Sequence, residues 1–134
     1  MNTNRYLIAS AVTGVWMVVY GYVANQVVLG DFWSGQVAPG LMRPEGEEIL
    51  GAVIASCFLQ AFALGFIFTR GYEARGLGEG VRFGLLVAWF VASLYLLFYA
   101  LQPWNVISVT VSAVTDGLMY VGAGVVLAAL YKKA

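Results

Sequence analysis

The sequence predicts an all-α integral membrane protein, folded as a four-helix transmembrane bundle with both termini in the cytoplasm. The chain has 134 residues, of which 61% are hydrophobic and only 10% are charged, and its mean hydropathy is +0.82. Such a composition lies outside the range of soluble domains. Four apolar stretches, each long enough to cross a hydrocarbon core that takes about 20 helical residues, make up most of the chain. We therefore expect one transmembrane domain over residues 1–134.

The first predicted helix covers about residues 6–29. It continues well past the roughly 7 to 15 apolar residues of a signal-peptide core, and no small-residue cleavage site ends it, so we expect it to be retained. Its small residues, spaced four and seven apart, can form a helix-packing seam: Ser10, Gly14 and Gly21.

The stretch 30–44 is interrupted by Gly, Pro and Asp, which is typical of a loop. We expect it to lie on the outer surface of the membrane, with Phe32 and Trp33 as anchors at the membrane interface. A binding role for this aromatic pair is the alternative.

The second predicted helix covers about residues 45–69. Pro44 suits its first position, where the missing amide proton would have no partner. The first turn would then hold three carboxylates that complement the positive end of the helix dipole, although a surface cation site is the alternative reading of Glu45, Glu47 and Glu48. Further along, Ser56 and Gln60 are four residues apart and share one face.

A short charged linker over 70–80, expected in the cytoplasm, leads to predicted helices at about 81–101 and 106–131. The linker glycines do not have the spacing of a dinucleotide-binding loop. Helix 81–101 is the most aromatic, and its rings can pack against lipid, against other helices or against a hydrophobic cofactor. Trp104, in the connection that follows, is a third expected interface anchor.

Lysine and arginine are distributed unevenly between the two ends of the predicted helices. Arg43 stands alone on one side, and the other side carries Arg5, Arg70, Arg75, Arg82, Lys132 and Lys133. By the positive-inside rule, both termini and the 70–80 linker are expected in the cytoplasm and the 30–44 loop outside.

Asp116 is the only charged residue within the apolar core of a predicted span. At about 1.5 Å of rise per residue it should lie roughly 15 Å below the outer boundary. Neutral polar residues of the other helices fall within the same layer of about 8 Å: Tyr20, Gln60, Ser93 and Tyr95. On its own helix, residues four apart form one stripe that should face inward: Ser108, Ser112, Asp116, Tyr120 and Gly124.

Two interpretations of this layer stay open. In the first, Asp116 is a packed group, neutral or hydrogen-bonded to Gln60, Ser93 or a tyrosine. In the second, it belongs to a proton or solute site, because intramembrane ionisable groups often mark pathways. The candidate polar site comprises Asp116, Gln60, Ser56, Ser93, Tyr95, Tyr20, Ser112 and Tyr120.

Composition argues against several other functions. The formal net charge is zero, so no basic surface for nucleic acid is expected. The chain has no histidine and a single cysteine, Cys57, and we expect no metal site and no intramolecular disulfide. No motif indicates a cofactor, although a lipid or hydrophobic cofactor is conceivable. No residue spacing singles out a catalytic pair, so we expect no enzymatic activity.

The stretches VWMVVYGYV and GDFW, together with GLGEGVRFGLL, resemble small bacterial inner-membrane proteins classed only as a domain of unknown function. The resemblance implies a four-helix membrane fold in a bacterial inner membrane, and it carries no functional residues. The leading expectation is a non-enzymatic accessory subunit that associates with itself or with a larger membrane complex. The alternative is a transporter or channel for small solutes or protons that uses Asp116.

Overall fold

The computed structural model describes residues 1–36, 42–44 and 46–132. In this part of the chain the regular elements are α1 (Thr3–Tyr22), α2 (Gly30–Gln36), α3 (Leu50–Arg70), α4 (Leu77–Leu101) and α5 (Val106–Leu130). A π-helical segment, Val23–Val28, joins α1 to α2. Among the described residues, α1 with this extension, α3, α4 and α5 are long and apolar enough to cross a membrane. The prediction of an all-α chain with four helices of membrane-spanning length is confirmed.

The four long helices pack in the order α3, α1, α5, α4. The closest packing is between α4 and α5, and α1 contacts both α3 and α5. Between α3 and α4 runs an apolar groove of about 190 Å³. These two helices approach each other near one end, where the rings of Phe68 and Phe83 meet with their centroids 5.3 Å apart.

The two ends of the molecule differ. At one end, which we call the terminus end, the backbone N–H of Asn2 donates to the Tyr131 hydroxyl at 3.3 Å, and the buried Tyr131 ring packs on Tyr72. Because successive long helices run antiparallel, the π-helical segment and α2 lie at the opposite end, which we call the cavity end.

Small residues set the distance between α1 and α3. Gly65 packs against Ser10, and the Phe58 ring occupies the space beside Gly14, so neither glycine has room for a methyl group. The predicted seam is thus present at Ser10 and Gly14. It does not extend to Gly21, which has no neighbour at the position of a side chain.

The α4 and α5 backbones touch directly. Gly80 lies against Gly124, and Gly84 lies against the backbone of Val121. Two glycines four residues apart allow such an approach in a membrane helix because van der Waals contact replaces the hydrophobic effect as the driving force. This crossing fixes the height of α4 relative to α5 and therefore decides which residue of α4 faces Asp116.

Helix α3 begins at Leu50 rather than at about residue 45. Gly46 has a φ of 87°, a conformation that stops a right-handed helix, and its N–H donates to a Glu48 carboxylate oxygen at 2.8 Å. Pro44 accepts in a turn from the Glu47 N–H at 3.0 Å and is not a first helical residue. The carboxylates at 47 and 48 therefore precede the helix, and residue 45 lies outside the described residues.

Helix α4 begins at Leu77, about four residues earlier than predicted. The Glu79 carboxylate explains this, because its oxygens accept from the backbone N–H groups of Glu73 at 2.6 Å and Arg75 at 3.0 Å. The side chain thereby closes the 71–76 turn onto the first turn of the helix. The glycines on either side of Glu79 are helical and do not form a loop.

The expected outer loop over 30–44 starts as a helix, α2, which holds both predicted aromatic anchors. Asp31 in its first turn suits the positive end of a helix dipole. Residues 37–41 of that stretch lie outside the described residues.

Candidate functional site

Asp116 lies near the middle of α5 and takes a single hydrogen bond. The Tyr95 hydroxyl of α4 donates to its Oδ2 atom. Within the part of the chain that the structure describes, the other oxygen, Oδ1, accepts no hydrogen bond. This atom is not fully buried. One oxygen is therefore held by the fold and the other is available to solvent or to a ligand.

Two side chains of α1 bind the backbone of α5 beside this carboxyl group. The Tyr20 hydroxyl donates to the Thr115 carbonyl oxygen at 2.7 Å, and the Trp16 Nε1 donates to the Met119 carbonyl oxygen at 3.0 Å. They fix α5 against α1 over one helical turn without using the Asp116 side chain.

Trp16 was not among the candidate site residues. Its ring lies in the space that a side chain at position 122 would occupy, where α5 has a glycine. The available signal was its spacing of four from Tyr20, which places both side chains on one face of α1.

A second polar pair lies one turn further along α5. The Tyr120 hydroxyl donates to the Gln60 Oε1 atom of α3 at 2.6 Å, and both residues line the groove between α3 and α4. The predicted layer is therefore divided into two separate pairs, and Gln60 is not the partner of Asp116.

Ser56 and Ser93 do not join the site. Both are exposed on the surface of the molecule, and their hydroxyls donate to carbonyl oxygens of their own helices, at Val53 (2.8 Å) and Phe90 (2.6 Å). A serine that faces an apolar surrounding satisfies its hydroxyl in this way. The sequence predicted a height for each serine, but it did not determine how each helix is rotated.

An open cavity of about 770 Å³ extends from the cavity end of the molecule to Asp116. Its deepest residues belong to α4 and α5: Tyr95, Ser112 and Asp116. Charged side chains line its mouth: Asp31, Arg43 and Glu48. Its walls include the amide side chains of the π-helical segment and two aromatic residues: Asn25, Gln26, Trp33 and Trp104.

The two tryptophans are held in the cavity wall by their indole N–H groups. Trp33 donates to Asn25 Oδ1 at 3.2 Å, and Trp104 donates to Gln102 Oε1 at 2.8 Å. The Asn25 amide in turn donates to the Gly21 carbonyl at 3.1 Å, which connects the π-helical segment to α1. Of the three predicted anchors, these two line the cavity.

The third predicted anchor, Phe32, packs edge-on against Trp33, with ring centroids 5.0 Å apart. The position of all three rings at the membrane interface stays a prediction.

The π-helical segment is a feature that the sequence analysis missed. Its wider turn is visible in the bond from the Leu29 N–H to the Ala24 carbonyl at 2.9 Å, and π-helical turns occur frequently at functional sites. The signal available was the pair of adjacent amides, Asn25 and Gln26, at the end of an apolar helix. A continuous α-helix to residue 29 was expected there instead.

The site can bind, through one carboxylate oxygen, a group that donates hydrogen bonds or carries positive charge. Within the described residues no three His, Cys, Asp or Glu side chains are grouped so that they could hold a metal ion. Cys57 is a free thiol, and it lies beside the buried cluster of Met17, Ala61 and Met119.

Comparison of the chain with family models, with curated protein sequences and with solved structures gives no match. The fold and the site define the class of protein: over the residues that the structure describes, the chain is all-helical, with four helices of membrane-spanning length and a polar cavity that reaches a carboxyl group within the last of them.

Proposed function

We propose that this protein binds a small solute in the cavity above Asp116 and that the site serves its uptake or sensing at a bacterial inner membrane. The observation that carries the proposal is that Asp116 lines an open polar cavity instead of being sealed by side chains. A packed structural carboxyl group would have both oxygens satisfied by the fold.

The energetic argument supports the same conclusion. A carboxylate at the centre of a membrane helix costs about 2.5 to 3.5 kcal/mol on insertion scales, and a fold offsets this cost by pairing or hydrating the group. Here Tyr95 supplies one hydrogen bond, and the cavity leaves the remaining capacity of Asp116 for water or ligand. The role is binding, and no catalytic step is proposed.

We further propose that the four long helices form a transmembrane bundle with both termini in the cytoplasm. The support is the charge distribution: Arg5, Arg75 and Lys132 lie at the terminus end, as do Arg70 and Arg82, whereas Arg43 is at the cavity end. Under the positive-inside rule the cavity then opens to the outside.

Water access to the cavity floor tests the proposal. Ser112 lines the cavity, whereas the native Cys57 does not, so a Cys57→Ala, Ser112→Cys double variant moves the only thiol to the floor. We expect a hydrophilic, membrane-impermeant methanethiosulfonate to label this variant in intact cells and to leave the native protein unlabelled. An unlabelled double variant that nevertheless runs as a folded, monodisperse species would contradict the proposal.

A second candidate is a subunit that associates with itself or with a larger membrane complex. The observation that favours it is Gln60, which is exposed near the middle of α3. Its amide oxygen accepts from Tyr120, and within the described residues its NH₂ group donates no hydrogen bond. In a bilayer such a group gains about 0.6 to 2 kcal/mol from a partner on another helix.

Mass measurement in mild detergent tests this candidate. We expect the native protein to run as an oligomer and Gln60→Leu to shift it toward the monomer. Ser56→Ala is the control, because that hydroxyl is already bonded within α3. A native protein that is monomeric and retains no other membrane protein would exclude the candidate.

A further inference from the structure

We propose that the ligand of this cavity is an organic ammonium cation, bound with its charge at Asp116 and its carbon atoms against the aromatic walls. The inference rests on the proposed function and specifies the chemical class of the solute. Three features of the cavity carry it: the sign of its charges, the nature of its walls and its size.

Acidic groups predominate in the lining. Among the lining residues that the structure describes, Asp31, Glu48 and Asp116 contribute three carboxyl groups, and Arg43 contributes one guanidinium. Glu48 accepts one hydrogen bond, from the Gly46 N–H, and Asp116 accepts one, from the Tyr95 hydroxyl, so each keeps one oxygen without a partner in the described part of the chain. A cation that enters the cavity therefore passes carboxylates at the mouth and meets, at the floor, a carboxyl group that still has one oxygen without a partner.

The aromatic residues suit a cation that carries carbon. Trp33 and Trp104 use their N–H groups on Asn25 and Gln102, so what they offer the cavity is ring surface. At the floor, the Tyr95 hydroxyl is likewise used on Asp116. Aromatic rings next to a carboxylate are the arrangement that recognises alkylammonium groups, because the negative π face attracts the diffuse positive charge.

The size of the cavity agrees with an organic ligand. About 770 Å³ falls within the range of roughly 300 to 1,000 Å³ that is usual for small-molecule sites. The cavity can therefore hold an ammonium group together with its organic substituents.

Equilibrium dialysis with the purified, detergent-solubilised full-length protein tests the inference. The probe is radiolabelled benzyltrimethylammonium, with benzenesulfonate as an anion of similar size and Na⁺ as an inorganic competitor. We expect saturable binding of the cation. At constant ionic strength, a large excess of Na⁺ should not displace it. Asp116→Asn should weaken binding at least tenfold because the charge is lost, and Trp104→Leu should weaken it several-fold. Trp89→Leu, on an exposed face of α4 outside the cavity, should leave it unchanged.

Equal or tighter binding of benzenesulfonate, displacement by sodium chloride beyond that caused by lithium chloride at the same ionic strength, or unchanged binding in Asp116→Asn would each overturn the inference. Its failure is distinguishable from failure of the proposed function. Labelling of the Ser112→Cys thiol by the hydrophilic reagent together with no binding of the ammonium probe overturns only the ligand class. A thiol at that position that stays unlabelled overturns both.

Discussion

Asp116 combines a structural bond with an unused oxygen. Tyr95 holds Oδ2, and the hydrogen bonds from Tyr20 and Trp16 fix the α5 backbone on either side. The carboxyl group is thus positioned by its neighbours without being saturated by them. Functional groups are often held in this way, and the protein gives up stability to keep them available.

At this scale we predict that Asp116→Asn does not destabilise the protein. The asparagine carbonyl oxygen can still accept from the Tyr95 hydroxyl, and placing an amide within a bilayer costs less free energy than placing a carboxylate there. The midpoint of unfolding in dodecyl sulfate, followed by circular dichroism in mixed micelles, should be equal to or higher than that of the native protein.

Tyr95→Phe is the matched change at the other partner. It keeps the ring and removes the donor to Asp116, so we expect a loss of about 1 kcal/mol, with water in the cavity replacing part of the bond. Clear destabilisation by Asp116→Asn would instead identify the carboxylate as a structural group and would favour the packed interpretation of the polar layer.

Among the elements, the α4–α5 pair has a sequence signal that can be recognised once the structure is known. Gly80 and Gly84, four apart, meet the α5 backbone at Gly124 and Val121. Gly80 belongs to the 70–80 stretch, which was predicted as a cytoplasmic loop because glycine and charge usually indicate a turn. A pair of glycines near the start of an apolar segment was equally compatible with helix packing, and only the partner helix decides between the two.

We predict that Gly84→Ala destabilises the protein by about 1 to 3 kcal/mol, since its methyl group would overlap the α5 backbone and force the helices apart. Gly117→Ala is the matched control in the same helix pair. Its methyl group would lie 3.6 Å from the side chain of Ala88, an ordinary contact, so the change should be neutral or stabilising by about 0.5 to 1 kcal/mol. Equal effects of the two changes on the unfolding midpoint would contradict the direct backbone contact.

The Glu79 carboxylate is the second element-scale feature open to test. We predict that Glu79→Ala makes the 71–76 turn several times more sensitive to trypsin at Arg75, because two backbone N–H groups lose their acceptor. Glu73→Ala removes only an exposed ion pair with Arg75, which contributes about 0 to 1 kcal/mol, and should change the cleavage rate little. Similar rates for both variants would exclude the role of Glu79 in closing the 71–76 turn.

For the whole molecule, the asymmetry of its two ends carries the functional argument. The terminus end holds most of the lysine and arginine and a packed aromatic cluster around Tyr131. The cavity end holds the π-helical segment, α2 and a mouth that carries both carboxylates and a guanidinium. The proposed orientation brings the cavity to the outer side of the membrane.

Cysteine labelling in a Cys57→Ala background tests this orientation. Gly35 and Gly71 are exposed positions at opposite ends, and a side chain at either one meets no neighbour in the described part of the chain. In intact spheroplasts a membrane-impermeant maleimide should label Gly35→Cys at once and Gly71→Cys only after permeabilisation. The reverse pattern would invert the orientation and place the cavity on the cytoplasmic side.

The sequence by itself determined the all-helical class, the number of helices long and apolar enough to span a membrane, the expected depth of Asp116 and the charge difference between the two ends. These properties depend on length, hydropathy and helical rise, which are read along one dimension of the chain. The tertiary structure decided which of the polar groups at that depth meet. It selected Tyr95 for Asp116 and Tyr120 for Gln60, turned Ser56 and Ser93 to the surface, and left a cavity open above the carboxyl group. The physical reason is that helix rotation and the spacing between helices follow from side-chain packing across interfaces, at contacts such as Gly84 with Val121 and Gly65 with Ser10, and residues distant in sequence create those interfaces together.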